Sequence, residues 1–486
     1  MMLTLSASCS RFRPTARPGP PAMVLGDIPE RTSKYSFYTT AARYSSDADF
    51  STAFWPGLID GRSEAFELVC RTAAFHPRPH TTVDIAMSTP GSSRKLSRVN
   101  FTNVHASRAD SPAPELPGLT PLRGIAALGV LLFHSSLYAY HFAGGSPPWL
   151  WRRGYLAVDL FFFLSGFVLT HVYGHRLAEQ ESWRTTRRFL WARFCRIYPT
   201  SLFTTAVFVL AYTVGSLHFP ADASFTNQVV AALLLLQVPW LNDIVINSPS
   251  WSISAELYAY LLFPFVVPMI CRLSGGTATI FGISLLLAVA ADHTIFSHEQ
   301  QNFGWGALIR ALPEFLVGAF AYRFYSEGIF RRFWEKDATL VGVSMIIVAA
   351  CLADVSDGVI VVLLLALLLA SVWNSGKITD FLNARTLRLL GEASYSIYIF
   401  QILPFMVAVS LSGMLVAHGF GGSRFQVIAT LFAIGGGLLV HRRVDTPIRA
   451  ALRRLPDRLL VFAPASRAAE TGTIPPTSAA MPEQDG

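Results

Sequence analysis

The chain has 486 residues, of which 52% are hydrophobic and only 14% are Asp, Glu, Lys or Arg, and its mean hydropathy is +0.41. Soluble domains carry roughly 25% charged residues, so this composition excludes a soluble enzyme over most of the chain, and its hydrophobicity excludes global disorder. The net charge is +8, from 39 basic and 31 acidic residues, and in a membrane protein its placement matters more than its sum.

Residues 1–115 differ from the rest. They are rich in Ser, Thr, Ala, Arg and Pro, as in the run Arg13–Pro21, and hold no apolar stretch of signal-peptide type. They read as a disordered cytosolic extension, or as the product of an over-long gene reading with a start at an internal methionine such as Met87. Phe50–Phe75, which includes Trp55, has enough apolar residues for a short local element.

Apolar segments then follow at roughly 122–141, 154–174, 199–217, 226–240, 251–271, 277–295, 305–322, 338–354, 357–373, 393–412 and 424–441. Most approach the ~20 residues that span a bilayer as a helix. Segment 226–240 is the shortest, and loop charge decides its fate. If it does not cross, the basic loops 175–196, 323–336, 377–388 and 442–458, together with Arg272, all fall on the cytosolic side, as positive charge should. The loops poor in Lys and Arg (218–225, 292–304 and 353–357) fall outside. Arg152, Arg153 and Arg424 are the exceptions. The expected fold is therefore an all-α integral membrane protein of about ten transmembrane helices with both termini cytosolic. Residues 226–240 become an outer interfacial or re-entrant helix. Residues 116–452 form the membrane domain, and 453–486 read as a disordered cytosolic tail. No internal repeat is visible.

Ionisable residues inside spans are costly and are functional candidates. Arg123 and His134 share the first span. Eleven residues at 1.5 Å each place them ~16 Å apart, about three turns, so they share a face. A guanidinium at the cytosolic mouth suits a phosphate-bearing donor, and an imidazole at depth suits a general base. The plainer alternative is a snorkelling arginine and a helix–helix hydrogen bond. Arg193 and Arg196, before Pro199, lie at i, i+3 where the basic loop enters the third span. They can clamp phosphates or simply anchor the helix, and Pro199 fits a first helical turn.

Ser250–Glu256 (SWSISAE) opens the next span at the outer face. Trp251 alone reads as an aromatic-belt residue. Glu256, beside Ser252 and Ser254, is placed to orient His134 or an acceptor hydroxyl, or else to favour a helix start. Arg310 and Glu314, at i, i+4, read first as an intrahelical ion pair. Asp159 needs a partner if buried, and Arg310 is one candidate.

Together these blocks resemble membrane acyltransferase family 3, the bacterial ten-span O-acyltransferases, over about residues 116–452. Arg123–His134 resembles the family's R-x10-H motif. Val158–Phe167 (VDLFFFLSGF), Arg193–Pro199 (RFCRIYP), Ser250–Glu256, Glu314–Gly318 (EFLVG) and Leu390–Tyr398 (LGEASYSIY) resemble further blocks in order. Asp445-Thr-Pro447 stands where the family often has E-x-P, and Gln401 where it frequently has a histidine.

The resemblance implies acyl transfer, often of acetyl, from cytosolic acyl-CoA to a hydroxyl of a carbohydrate or lipid-linked glycan, such as exopolysaccharide or lipopolysaccharide. It implies a multi-pass place in the bacterial inner membrane, beside polysaccharide biosynthesis proteins. His134 and Glu256 are then the expected catalytic residues, and Arg123, Arg193 and Arg196 the donor-binding ones. Asp159, Trp251, Ser252, Ser254, Arg310, Glu314 and Tyr395 are expected in support. No bound cofactor, metal or nucleic acid is expected. The competing readings are a glycolipid transporter or flippase, and an unrelated His-dependent acyltransferase class.

Overall fold

The computed structural model describes residues 41–44, 82–87, 95–100, 114–143, 149–179, 182–215, 217, 224–244, 246–296, 301–411 and 422–454. The chain divides into two units, residues 1–112 and 113–486. In the first, strands β1 (Ala41–Tyr44), β2 (Thr82–Met87) and β3 (Lys95–Asn100) pair antiparallel in chain order, with Ala41 opposite Ala86 and Thr82 opposite Asn100. Disorder was the expectation for this stretch, and these three segments depart from it. The rest of 1–113, including Phe50–Phe75, lies outside the described residues, as does the expected tail beyond Arg454.

In the second unit every described element is helical. The order is α1 (Leu119–Ala143), α2 (Ala157–Glu179), α3 (Trp183–Thr213), α4 (Phe225–Leu234), α5 (Ser250–Arg272), α6 (Gly275–Ile295) and α7 (Gly304–Ser326). Then come α8 (Asp337–Leu352), α9 (Asp357–Trp373), α10 (Arg385–Glu392), α11 (Ser394–Phe400), α12 (Ile402–Ser410) and α13 (Gly422–Val440). A π turn (His441–Asp445) and α14 (Thr446–Arg453) follow.

Each of the ten expected crossing segments coincides with a helix or a helix pair. Among the described residues, six helical segments are long and apolar enough to cross a membrane, and α10 with α11–α12, bent by 59° between Glu392 and Ser394, adds a seventh. Helix α7 has the length but carries Arg310 and Glu314, both buried inside the bundle. Helices α8 and α9 are apolar but short, at 16 and 17 residues. The protein is a multi-pass membrane protein.

Helix α3 corrects one local reading. It runs for 31 residues from an N-cap at Ser182, so Pro199 lies inside it rather than in its first turn. The arginine-rich stretch before Pro199 is helical because arginine is a good helix former. Near the proline, the carbonyl of Ile197 accepts from Tyr395 and that of Thr200 from Thr204.

Helix α4 covers only part of the apolar segment 226–240. After it the chain turns through Leu235, at positive φ, into an irregular stretch whose Leu235, Gln237, Val238, Ile246 and Asn247 are buried. Irregular backbone at membrane depth needs partners within the protein. Ser254 supplies two, accepting from the Val238 amide at 3.2 Å and donating to the Leu235 carbonyl at 2.8 Å.

The exceptional outer-loop cations are explained by ion pairs. Arg152 reaches Asp354 at 3.1 Å, and Arg153 reaches Asp354 at 2.7 Å and Asp357 at 2.8 Å. Their charge is thus offset within the protein. The pairs also put the loop after α1 and the loop after α8 on one side of the bundle.

The centre of the bundle is a close α2–α7 pair. A Cβ on Gly166 would sit 1.8 Å from the Phe315 carbonyl oxygen, and one on Gly318 would sit 2.1 Å from that of Phe163. Only glycine lets the two backbones meet there. This contact places Asp159 of α2 beside Arg310 of α7.

Candidate active site

Helices α1, α2, α3, α5 and α11 line a cavity that is open at its mouth. Arg123 from α1 and Arg193 and Arg196 from α3 line it, with Glu256 and Tyr260 of α5 and Ser394, Tyr395 and Tyr398 of α11. The remaining wall is largely apolar, chiefly Val158, Phe161, Phe162 and Leu164 of α2 with Ile253. Three arginines expected on the first and third spans therefore meet around one space.

Aromatic rings hold two of them. Arg193 donates to the Tyr173 hydroxyl at 3.2 Å and lies over the Tyr173 and Tyr260 rings at 5.3 and 5.9 Å. Arg196 lies over the Tyr395 ring at 5.3 Å and reaches Asp445 at 3.5 Å. A guanidinium stacked on a ring keeps its in-plane N–H donors available. Tyr395 is fixed by donating to the Ile197 carbonyl at 2.5 Å.

Glu256 belongs to this group. Its Oε1 accepts from Ser165 and from Tyr260, both at 2.5 Å. The expectation that it orients His134 is corrected: its hydrogen-bond partners are these two hydroxyls. Tyr260, at i+4 from Glu256, was legible as a helix-face neighbour. Ser165, from a different helix, was not.

His134 lies elsewhere. It is half-buried and is not part of the cavity lining. Gln401, at the junction of α11 and α12 where the backbone stays helical, faces it. His134 Nδ1 and both amide atoms of the fully buried Gln401 make no hydrogen bond. Buried polar atoms normally find partners, so this pair marks a polar spot with capacity for a ligand group. The neighbouring Ser135 and Ser136 are occupied, bonding Thr430 at 2.7 Å and Gln426 at 3.0 Å across to α13.

A second polar group is closed. Arg310 binds both oxygens of Asp159, at 2.7 and 2.8 Å, and donates to Asn302 at 2.7 Å. It also lies over the Trp251 ring at 5.3 Å, and Trp251 is buried rather than a belt residue. Glu314 stands 4.0 Å from Arg310, so the intrahelical pair is the weaker contact. Glu314 bonds instead to His293 of α6 at 2.7 Å. Sequence reasoning missed His293, which stands near a span end and looks like an interfacial residue. Asp159, His293 and Glu314 have ligand atoms within 4.8 Å of one another, the spacing of a metal site. The Arg310 guanidinium already fills the cation position on Asp159, so the set reads as an ion-pair cluster. Ser252 belongs to the cavity wall instead, bonded to Tyr398 at 2.8 Å.

The family model described as an acyltransferase domain, acyltransferase family 3, matches residues 116–442. "Protein 2 in picA locus" of Rhizobium radiobacter is 36% identical over 200 residues, 38% of this chain and 94% of that protein. "Acyltransferase MdmB" of Streptomyces mycarofaciens is 27% identical over 377 residues, 70% of this chain and 93% of its own length. "O-acetyltransferase OatA" of Staphylococcus aureus is 24% identical over 373 residues, 69% of this chain but 57% of OatA. No solved structure matches. With Arg123, Arg193, Arg196 and Glu256 around one cavity and the family model covering most of the chain, this protein belongs to membrane acyltransferase family 3.

Proposed function

We propose that the protein is an O-acyltransferase of the bacterial inner membrane, with ten crossings and cytosolic termini. It moves an acyl group from cytosolic acyl-CoA to a hydroxyl of a carbohydrate or lipid-linked glycan. A relative named as an O-acetyltransferase favours acetyl. The observation that carries the reading is the convergence of Arg123, Arg193 and Arg196 on one cavity, with His134 three turns further along the helix that bears Arg123. Arginines bind phosphate bidentately, and a long anionic donor held at that end can extend its thioester toward the imidazole, ~16 Å along α1. The same-side ion pairs of the loops after α1 and α8 support the ten-crossing topology.

In this scheme His134 takes the proton of the acceptor hydroxyl as the oxygen attacks the thioester carbonyl. The C–S bond breaks, and the proton passes from the imidazolium to the departing thiolate. Gln401 can donate and accept but cannot titrate, so it positions the acceptor or the imidazole. Glu256, tied to two hydroxyls, supports the donor cavity.

Inverted membrane vesicles supplied with labelled acetyl-CoA test this. Label should enter a glycan or glycolipid fraction with the wild type and fall at least ~100-fold with His134→Ala. Full labelling by the variant removes His134 as the base. Acceptor movement across the membrane without label transfer points to a transporter instead.

A further inference from the structure

The cavity arginines continue into a chain of cations on the helix that follows the last expected span. Arg196 Nη1 lies 3.5 Å from Asp445 Oδ2, and Arg449 Nη1 of α14 lies 3.6 Å from the same oxygen. His441 Nδ1 is 3.1 Å from it. The Asp445 side chain is wholly buried. It closes the π turn that joins α13 to α14, and a π turn re-aims the residues after it relative to a continuous α-helix. The turn thereby brings α14 against α3, with Arg449 beside Arg196.

These ion pairs are loose. At 3.5 and 3.6 Å they are much longer than the 2.7 Å bond of Arg310 to Asp159. Both guanidiniums converge on one oxygen, so each keeps most of its five N–H donors. Among the described residues, Asp445 is the one carboxylate within ion-pair distance of Arg196 or Arg449. Arg193 turns to tyrosine rings and a hydroxyl instead. Several arginines sharing one carboxylate suit a ligand with more than one negative group. Exposure also rises along the chain, from 14% for the Arg196 side chain to 22% for Arg449. Arg449 is thus the more exposed neighbour of a cavity arginine.

We infer that Arg449 is a further donor-binding residue, one that takes the terminal 3′-phosphate of a coenzyme A donor while the cavity arginines take its diphosphate. The inference rests on the acyl-CoA reading above. The order follows from the ends of the donor: the thioester must extend toward His134, so the phosphorylated ribose lies at the opposite, rim end. Asp445 is the positioning residue that holds Arg196 and Arg449 together. An anionic lipid headgroup offers Arg449 the same phosphate chemistry, and the test separates the two sources.

The full chain in nanodiscs of neutral lipid is titrated with coenzyme A and with dephospho-coenzyme A, which lacks the 3′-phosphate. The wild type should bind coenzyme A about tenfold or more tightly than the dephospho form, the scale of one charge-assisted contact. Arg449→Gln should lose about that factor for coenzyme A and nothing for dephospho-coenzyme A, and Arg449→Lys should recover part of it. An equal loss for both ligands, or unchanged discrimination, overturns the inference and leaves the acyl-CoA reading standing. A defect that appears only when phosphatidylglycerol is added assigns Arg449 to lipid and also overturns it. A wild type that binds neither nucleotide overturns the acyl-CoA reading, and this inference with it.

Discussion

Two groups of charged side chains lie inside the bundle, and their bonding differs. Around Asp159, Arg310, His293 and Glu314 the charges answer one another at 2.7 to 2.8 Å, inside a wholly buried set. Around the cavity, Arg123, Arg193 and Arg196 face open space, and their contacts are rings, hydroxyls and one distant carboxylate. The first arrangement is bonded mostly within itself and fastens α2, α6 and α7. The second leaves donors directed at a ligand. An intramembrane charge is therefore a functional candidate only until its partners are known. In this protein the buried Arg310 belongs to the scaffold, and the arginines that line the cavity belong to the site.

The sharpest way to break that contrast is at Arg310. Arg310→Leu strands the Asp159 carboxylate in the core and should destabilise the protein by about 3–5 kcal/mol. Thermal unfolding in detergent measures this, and the Asp159→Leu, Arg310→Leu double variant should recover much of the loss. An unchanged Tm for the single variant would mean that the cluster is not structural. Arg123→Ala should behave in the opposite way. Removing a charge-assisted phosphate contact is worth about 1.5–3 kcal/mol, so the apparent donor KM should rise roughly ten- to hundred-fold, with Tm little changed. An unchanged donor KM takes Arg123 out of the donor site. The smallest effect is expected at Tyr395→Phe. It deletes the bond to the Ile197 carbonyl but keeps the ring beneath Arg196. Stability should drop by about 1 kcal/mol and the donor KM should hold. A raised KM would show that the hydroxyl, not the ring, positions Arg196.

Particular residues show how far the sequence could be read. Arg123, Arg193 and Arg196 were legible because charges in or beside apolar segments stand out, and their positions alone suggested a shared donor. Glu256 was found for the same reason, but its partners were misjudged. A helix register places it on a face and cannot say that Ser165 of α2 and Tyr260 fill that face. The Asp159–Arg310 pair was one option among several until the Gly166 and Gly318 contacts set the spacing of their helices. His293 gave no signal, because a histidine near a span end has no periodicity to betray a buried role. Gln401 was visible only as a departure from a familiar pattern; the packing of the α11–α12 segment against α1 made it the neighbour of His134.

The sequence by itself determined the class of molecule, the helical segments and the residue types available for chemistry. Those depend on composition, hydropathy and spacing along one chain, which are local quantities. The tertiary structure decided which charges close on each other and which open onto a cavity. It also decided that Leu235, Gln237, Val238, Ile246 and Asn247 are buried in the bundle and that Asp445 joins Arg196 to Arg449. Each of these depends on which helix faces which, at distances of a few ångströms, between residues as far apart in sequence as Arg196 and Asp445, 249 positions. Close packing between helices fixes those facings, and no pattern within a single segment encodes them.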